Sequence, residues 1–330
     1  MPNSTTGDFT VERRIAADHF GRALRADVQA GLTENPKTLP PKWFYDARGS
    51  MLFDRITRLP EYYLTRAERM VLRANAERIA ELTAAHTLVE LGSGSSAKTR
   101  ILLDALTAGG TLRRYAPLDV SESALIAAAE SLAAAYPALR ITATVADFET
   151  DLALPDASDA PRLVAFLGST LGNLDPEQRA AFLGRLRQAL TAPGDALLLG
   201  VDLVKDPARM LRAYDDGQGV TAEFNKNLLT VLNRELDSDF DPGAFDHRAI
   251  WNEEDERMEM RLRARLTHTV KIPTLDLTLD FLRGEDLRTE ISSKFRREAL
   301  EPELTQAGFT LEHWWTDQQE RFAVLLALPA

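Results

Sequence analysis

The stretch that decides the fold is Leu88-Val-Glu-Leu-Gly92-Ser-Gly94-Ser-Ser-Ala-Lys98, a short apolar run followed by two glycines and a polar helix start. A strand, a glycine turn and a helix in this order place backbone N–H groups and the positive end of a helix dipole beside a ligand. The third glycine of a dinucleotide fingerprint is missing, because Ser96 and Ala97 occupy that part of the turn. The motif alone therefore leaves open a tight turn that binds nothing.

Short apolar runs and helical patterns alternate on both sides of this turn. The apolar runs, each a strand candidate, are 87–91, 115–119, 141–145, 162–167 and 195–200. The helical patterns between them are 98–108, 121–135 and 176–190. Asp175 and Pro176 are residue types favoured at an N-cap and at the first helical position. This alternation predicts an α/β fold with a doubly wound parallel sheet.

The segments before the sheet have a different pattern. An amphipathic helix is predicted for 13–30, ended by Gly31, and a second helical pattern covers 65–83. The prolines of the segment 35–41 cannot propagate a helix, so we expect a loop there. Residues 1–15 are polar and are expected to be a flexible N-terminus.

The segments after the sheet complete a two-domain arrangement. Residues 205–294 are polar and acidic, with apolar residues alternating in 258–264 and 275–281 as in half-exposed antiparallel strands. The runs 309–315 and 322–328 predict a closing hairpin. The expected division is a core domain formed by 61–204 and 295–330, and a second α+β domain formed by 16–60 and 205–294.

Composition excludes several classes of function. The chain has 330 residues, and 39 Lys and Arg against 50 Asp and Glu give a formal charge of −11, which disfavours nucleic acid and anionic lipid as partners. The absence of Cys excludes thiol nucleophiles, thiolate metal sites and disulfides. No two of the five His stand at the i, i+4 spacing of a helical metal site, so we expect no metal. Without an apolar signal segment, a cytoplasmic protein acting on a small molecule is expected.

Three strand ends carry candidate cofactor contacts. Asp119 follows the second strand, where a carboxylate can accept both hydroxyls of a ribose. Asp147 and Phe148 follow the third strand and offer an acceptor and an aromatic face to an adenine. Lys98 lies in the first helical turn, where a cation opposes the helix dipole, so an anionic group such as a cofactor carboxylate is expected beside it. A solvated Lys98 is the alternative.

Four sequence blocks occur together in order: Pro41-Lys-Trp-Phe-Tyr-Asp-Ala-Arg-Gly-Ser50, Leu59-Pro-Glu-Tyr-Tyr63, Glu90-Leu-Gly-Ser-Gly94 and Phe166-Leu-Gly-Ser-Thr-Leu-Gly-Asn173. With them the chain, from about Arg22 to Leu328, resembles the L-histidine Nα-methyltransferases of ergothioneine biosynthesis. The resemblance implies a class I, Rossmann-like methyltransferase core and a separate substrate domain. It also implies three methyl transfers from S-adenosyl-L-methionine to histidine, giving hercynine and S-adenosyl-L-homocysteine.

The resemblance further implies roles for individual residues. The cofactor would be held by Tyr62, Gly92, Lys98, Asp119, Asp147 and Phe148. Tyr45 and Asn173 are the expected catalytic residues, around the substrate amine with the Gly168 backbone. The substrate carboxylate would be bound by Asn173 and Tyr214. The imidazole would be bound by Glu290 and Ser292, in a pocket lined by Tyr62, Phe53 and Met260.

Other functions stay open on the sequence alone. The same scaffold can methylate another amino-acid amine, such as that of tryptophan, although a Glu and a Ser suit the two nitrogens of an imidazole better. A nicotinamide-dependent oxidoreductase shares the glycine turn and Asp119, and a silent cofactor-binding protein shares both as well. We expect a monomer.

Overall fold

The computed structural model describes residues 9–16, 18–94, 96, 98–152 and 154–330. The chain divides into two compact units. The first contains the described part of 1–16 together with Leu64–Leu203 and Phe295–Ala330. The second contains the described part of Ala17–Tyr63 together with Val204–Lys294.

The strands and helices are numbered here in chain order. The strands are β1 Phe9–Arg13, β2 Thr87–Leu91, β3 Arg114–Asp119, β4 Arg140–Val145, β5 Arg162–Phe166, β6 Ala196–Asp202, β7 Phe245–Asn252, β8 Arg257–Ala264, β9 His268–Ile272, β10 Leu277–Phe281, β11 Asp286–Ser293, β12 Phe309–Thr316 and β13 Phe322–Pro329. The α-helices are α1 His19–Thr33, α2 Ala47–Ile56, α3 Leu64–Thr83, α4 Arg100–Ala108, α5 Glu122–Ala135, α6 Pro176–Ala189, α7 Pro207–Tyr214, α8 Val220–Leu236 and α9 Arg297–Gln306.

The first unit is built on an eight-stranded sheet in the order β1-β4-β3-β2-β5-β6-β13-β12. The strands from β1 to β6 run parallel, and the hairpin of β12 and β13 adds two antiparallel strands beside β6. β2 and β5 are buried along their whole length, as expected of strands covered on both faces. The doubly wound α/β prediction and the closing hairpin are confirmed.

β2 and β5 are parallel neighbours, and the order in which successive strands are added to the sheet reverses between them. In open α/β sheets, ligands bind beyond the carboxyl ends of the strands at such a switch point. The glycine turn follows β2, and the Gly168 loop follows β5. Local sequence fixes the adjoining helices as well: α6 begins with a capping box between Asp175 and Gln178, with Pro176 at its first position.

Two expectations near the N-terminus are wrong. Phe9–Arg13 is not a flexible segment, because it pairs in parallel with Ile141–Val145 as the edge strand β1. Gly31 does not end the first helix: it lies inside α1, where a Cβ would stand 2.1 Å from the Thr38 carbonyl oxygen. Glycine is needed there for a close approach to that loop. Some positions lie outside the described residues, and the predictions for them stay predictions: 1–8, Ala17, Ser95, Ala97 and Ala153.

The second unit combines helices with small antiparallel sheets. β7, β8 and β11 form a three-stranded sheet with β8 in the centre, and β9 pairs with β10. The predicted strands at 258–264 and 275–281 correspond to β8 and β10. The helices of this unit are α1, α2, α7 and α8.

Candidate active site

The glycine turn after β2 has both the room and a free polar group that a ligand needs. Gly92 and Gly94 have φ of +68° and +50°, a region that side chains rarely adopt. A Cβ added at Gly94 would meet nothing within 4 Å, so open space adjoins the backbone there. Among the described residues no hydrogen-bond partner exists for the buried Ser93 Oγ. The turn therefore fits a bound cofactor.

Asp119 is fixed against this turn. One carboxylate oxygen accepts the Gly94 N–H at 2.8 Å, and the other accepts the Ser121 N–H at 2.9 Å. Burial raises the pKa of Asp119 above its usual value, although backbone hydrogen bonds act in the opposite direction. A carboxylate has about four lone-pair sites, so acceptor positions remain for the two hydroxyls of a ribose.

Asp147 and Phe148 lie at the end of β4. Asp147 is buried, and its Oδ1 accepts the Glu149 N–H at 2.9 Å. The Phe148 ring packs edge-on against Phe166, with 5.3 Å between centroids. Its Cε1 lies 3.8 Å from the Cβ position of Gly92. The structure thus brings Gly92 and Phe148 together at one end of the sheet.

A buried carboxyl, that of Glu90, lies on β2 two residues before Gly92 of the turn. Glu90 is 1% exposed and accepts hydrogen bonds from the hydroxyls of Thr99 and Tyr115. Burial raises the pKa of Glu90 to about 7, and burial beside Glu90 raises that of Tyr115 well above its usual value. Ser96 extends the network, with its Oγ 2.9 Å from the Tyr115 hydroxyl oxygen. These bonds tie the turn to the start of α4.

In the structure Lys98 pairs with a protein carboxylate, that of Glu68 of α3. Lys98 Nζ donates to Glu68 Oε2 at 2.6 Å, and the Gly168 N–H donates to Oε1 at 2.6 Å. Glu68 is 1% exposed, so one buried carboxylate joins the helix after β2 to the loop after β5. Sequence reasoning missed it. The available signal was that Glu68 falls on the apolar stripe of α3, four residues after Leu64 and four before Leu72.

The Gly168 loop is held in an unusual conformation. Gly168 and Ser169 have φ of +83° and +60°, and a Cβ at Gly168 would stand 3.0 Å from Lys98 Nζ. Ser169 is buried, and its Oγ accepts the Asp202 N–H at 2.9 Å. Asn173 ends the following 3₁₀ turn and is half-buried. Its amide offers two donors and an acceptor, as the predicted substrate role requires.

Three predicted residues of the second unit form an aromatic cluster. Phe53 lies 5.5 Å from Tyr45 and 6.1 Å from Tyr62, measured between ring centroids. Phe224 of α8 completes the cluster at 5.6 Å from Tyr45 and 5.9 Å from Phe53. Phe224 was not predicted, because its helix was treated as part of a polar insertion. Tyr45 is 38% exposed, so one side of the cluster faces solvent.

A β-bulge decides where Glu290 and Ser292 point. Leu287 pairs with Leu262, whereas Glu290 pairs with Met260 and Ser292 with Met258, because the register shifts at Thr289. Residues directly opposite in antiparallel strands share a face, so the bulge turns Glu290 and Ser292 to the side of Met260. The three predicted imidazole-pocket residues of this sheet are therefore neighbours.

Glu290 carries an available acceptor on that face. It is half-buried, and desolvation raises the pKa of its carboxyl to about 7, with the charge of Lys294 acting against the rise. Among the described residues none donates a hydrogen bond to the Glu290 carboxylate. An N–H or O–H group of a ligand could therefore donate a hydrogen bond to the Glu290 carboxylate.

Tyr214, at the end of α7, reaches the same strand. Its hydroxyl donates to Ser292 Oγ at 2.8 Å, and both side chains are buried. Lys294 Nζ donates to the Tyr214 hydroxyl at 2.9 Å and to Ser292 Oγ at 2.8 Å. Sequence reasoning missed Lys294, although its position two residues after Ser292 in an extended segment was a usable signal.

The predicted site residues are distributed over both units. Gly92, Lys98, Asp119, Asp147, Phe148, Gly168 and Asn173 belong to the first, and Tyr45, Phe53, Tyr62, Tyr214, Met260, Glu290 and Ser292 belong to the second. Within the described ranges, three or more His, Asp or Glu nowhere form a group that could hold a metal ion. No helix in the described part of the chain is long and apolar enough to cross a membrane.

Comparison with known proteins identifies the family. A family profile described as histidine-specific methyltransferase, SAM-dependent, matches residues 24–329. A histidine N-alpha-methyltransferase of Mycolicibacterium smegmatis is 54% identical over 315 residues, covering 95% of this chain and 97% of that protein. That of Mycobacterium tuberculosis is 53% identical over 321 residues, covering 96% and 99%. Ergothioneine biosynthesis protein 1 of Neurospora crassa is 32% identical over 309 residues, covering 89% and 33%. The chain belongs to the histidine-specific, S-adenosylmethionine-dependent methyltransferase family.

Proposed function

We propose that this protein transfers three methyl groups from S-adenosyl-L-methionine to the α-amine of L-histidine, giving hercynine for ergothioneine biosynthesis. The observation that carries the substrate assignment is the bulged strand β11, which sets Glu290 and Ser292 side by side facing Met260. An imidazole has two nitrogens, and a carboxylate with a hydroxyl can satisfy both. The names of the two relatives above half identity agree with this substrate.

The first unit holds the cofactor. Asp119 accepts the ribose hydroxyls, while Asp147 and Phe148 take the adenine by its exocyclic amine and its ring. Lys98, oriented by Glu68, faces the cofactor carboxylate, and Gly92 lets the backbone approach. Tyr62 is the further cofactor contact that the family resemblance implies. When bound, the cofactor supplies an electrophilic methyl group on a sulfonium, so the protein needs neither a covalent nucleophile nor a metal.

The protein's task at the substrate is to orient a neutral amine. Asn173 and Tyr214 bind the histidine carboxylate, and Asn173 with the Gly168 backbone also lies around the amine. The amine loses a proton before each transfer, and Tyr45 or a bound water accepts that proton or relays it to solvent. Orientation for in-line attack and exclusion of water provide most of the rate enhancement. The rings of Tyr45, Phe53, Tyr62 and Phe224 tolerate the permanent cation that the third transfer creates.

Mass spectrometry of amines incubated with the protein and S-adenosyl-L-methionine tests this function. L-histidine, L-tryptophan and histamine are supplied in separate reactions. We expect histidine to gain up to three methyl groups, tryptophan to gain none, and histamine to stay unmodified because it lacks the carboxylate. Folded protein that binds the cofactor and leaves histidine unmethylated would refute the substrate assignment.

The remaining parts of the proposal concern the state of the protein. We propose that it acts as a monomer in the cytoplasm, with the mono- and dimethylated histidines as intermediates. Sedimentation velocity measures the oligomeric state, and a time course of the same mass spectra detects the intermediates.

A further inference from the structure

Asp46 directly follows Tyr45 in the chain and binds three donors at once. It is the N-cap of α2, where its Oδ1 accepts the Gly49 N–H at 2.8 Å. The same oxygen accepts a hydrogen bond from Asn227 Nδ2 at 2.8 Å, and Oδ2 accepts one from Arg234 Nη1 at 2.8 Å. Burial acts to raise the pKa of Asp46, but these hydrogen bonds outweigh it and lower the pKa below its usual value. Asp46 is therefore a carboxylate at neutral pH.

The two side-chain partners of Asp46 lie on one face of α8. Asn227 and Arg234 are seven residues apart, which is almost two helical turns, so they point to the same side. Phe224 lies on that side too, one turn before Asn227, and its ring centroid is 5.6 Å from that of Tyr45. Asn227 is 3% exposed, so its bond to Asp46 is shielded from water. One helix face therefore holds both the Tyr45 ring and the carboxylate of the next residue.

The backbone on both sides of Tyr45 is fixed as well. Phe44, which precedes it, is fully buried, and its ring centroid lies 4.7 Å from that of Phe224. Gly49 packs directly on this residue, because a Cβ at Gly49 would stand 1.7 Å from the Phe44 carbonyl oxygen. The chain before Tyr45 is thus held by Phe224, and the chain after it by Asp46. Tyr45 itself is 38% exposed, so the packing around its ring is incomplete and the direction of the ring depends on this backbone.

We propose that Asp46 is a positioning residue: held by Asn227 and Arg234, it fixes the backbone of Tyr45 and with it the direction of the hydroxyl that acts at the substrate amine. The proposal rests on the proposed function, since it takes Tyr45 as the residue that serves the amine proton, directly or through a bound water. Asp46 needs no contact with the substrate. Misplacing a group at a reacting centre by about 1 Å can cost about 100-fold in rate, so Asp46 affects methyl transfer more than it affects binding.

Single-turnover methylation of histidine tests the role of Asp46, because it measures slow variants as well as fast ones. Asp46→Asn keeps the oxygen that caps α2 but turns an N–H towards Arg234, where no acceptor then remains. We expect at least tenfold slower methyl transfer, with the affinities for histidine and S-adenosyl-L-homocysteine within about threefold of the wild type. Asp54→Asn removes an exposed ion pair of the same helix, that with Arg58, and is the matched control, which should keep the wild-type rate. A wild-type rate in Asp46→Asn would overturn the proposal.

A double-mutant cycle with Tyr45→Phe separates positioning from a general loss of structure. If Asp46 acts through the Tyr45 hydroxyl, Asp46→Asn should slow methyl transfer at least tenfold in the wild type but less than about threefold in the Tyr45→Phe background. Equal losses in both backgrounds would contradict the proposal. Arg234→Lys keeps a charged donor for Asp46 and should retain more of the rate than Arg234→Met, which removes the donor. Equal rates in these two variants would count against the proposal as well.

Fluorine nuclear magnetic resonance of protein labelled with 3-fluorotyrosine observes the Tyr45 ring without any measurement of activity. The chain has six tyrosines, and the Tyr45 signal is identified by its absence from the spectrum of Tyr45→Phe. We expect Asp46→Asn to shift or broaden this signal, while the signals of Tyr115 and Tyr136 in the first unit stay in place and show that the protein is folded. A Tyr45 signal that does not change in folded Asp46→Asn would overturn the proposal.

Failure of this proposal is distinguishable from failure of the proposed function. If the wild type binds the cofactor but leaves histidine unmethylated, the proposed function fails, and the fluorine signal still shows whether Asp46 fixes the Tyr45 ring. If histidine is methylated but the cycle gives equal losses, only the positioning role of Asp46 fails.

Discussion

Glu68 and Lys98 form an ion pair at 2.6 Å that links the two loops at the switch point of the sheet. The Glu68 side chain is 1% exposed and that of Lys98 is 23% exposed, so the pair is largely shielded from water. The second oxygen of Glu68 holds the Gly168 N–H. One carboxylate therefore sets both the cation beside the glycine turn and the backbone of the Gly168 loop.

Glu68→Gln should weaken cofactor binding as well as stability. The substitution removes the charge that orients Lys98, and we expect a loss of about 1.5–3 kcal/mol in the free energy of unfolding. Affinity for S-adenosyl-L-homocysteine, measured by calorimetry, should fall about tenfold. Glu77→Gln, an exposed carboxylate on the same helix, is the control and should change neither. Wild-type affinity in Glu68→Gln would show that the pair does not orient Lys98 for the cofactor.

Gly168→Ala should damage the site through both conformation and contact. Alanine at a φ of +83° is strained, and its Cβ would stand 3.0 Å from Lys98 Nζ. We expect a loss of about 1–3 kcal/mol in stability and at least tenfold slower methyl transfer. Gly184→Ala in α6, where a Cβ meets nothing within 4 Å, should instead stabilise the protein by about 0.5–1 kcal/mol. Thermal unfolding measures the change in stability of both variants. Equal changes in the two would contradict the predicted strain at Gly168.

The raised pKa of Glu290 predicts a pH dependence of stability. In the folded chain the pKa of its carboxyl is raised by burial to about 7, from an ordinary value of 4.5. Between these values the folded state holds more protons than the unfolded state, so this contribution to stability is complete below pH 4.5 and is lost as the pH rises through 7.

Denaturation at several pH values measures this contribution. Relative to Glu290→Gln, we expect the unfolding free energy of the wild type to fall by about 1–3 kcal/mol as the solution goes from acid to mildly alkaline pH. Glu90, whose pKa is also raised to about 7, contributes equally to both proteins and cancels in the difference. Parallel pH profiles for the two proteins would mean that Glu290 is not desolvated as described.

Glu290→Ala should impair histidine use far more than cofactor binding. An imidazole N–H loses a charged acceptor, which costs about 1.5–3 kcal/mol, or roughly 10- to 150-fold in kcat/KM for histidine. Binding of S-adenosyl-L-homocysteine should stay within about twofold. Glu254→Ala, in the exposed turn between β7 and β8, is the control. An unchanged histidine affinity in Glu290→Ala would remove Glu290 from the imidazole site.

Local sequence was enough to predict seven of the eight strands of the large sheet and the glycine turn after β2. The run Thr87–Leu91 is β2 without any change of boundary, and Asp175 caps α6 as its residue type indicates. These features depend on neighbouring residues alone: apolar runs buried on both faces, side chains that cap a helix, and glycines where φ is positive. The edge strand Phe9–Arg13 was missed because it is partly polar and pairs with residues 132 positions further along the chain.

The site was predictable in its residue types but not in its connections. The family resemblance implies roles for Glu290 and Ser292, but only the register of β11 against β8 shows that a bulge puts them on the face of Met260. Glu68 and Lys294 were missed because each acts through residues brought close by the fold: Glu68 meets Gly168 across 100 positions, and Lys294 meets Tyr214 across 80. Pairings of this kind depend on tertiary structure and leave little local pattern.

Trimethylation of the histidine α-amine is tested with S-adenosyl-L-methionine that carries a deuterated methyl group and with L-histidine as the sole acceptor. Tandem mass spectrometry of the product locates each labelled methyl group. We expect a product with three labelled methyl groups, all on the α-nitrogen. Label on a ring nitrogen, or no labelled histidine from protein that binds the cofactor, would contradict it.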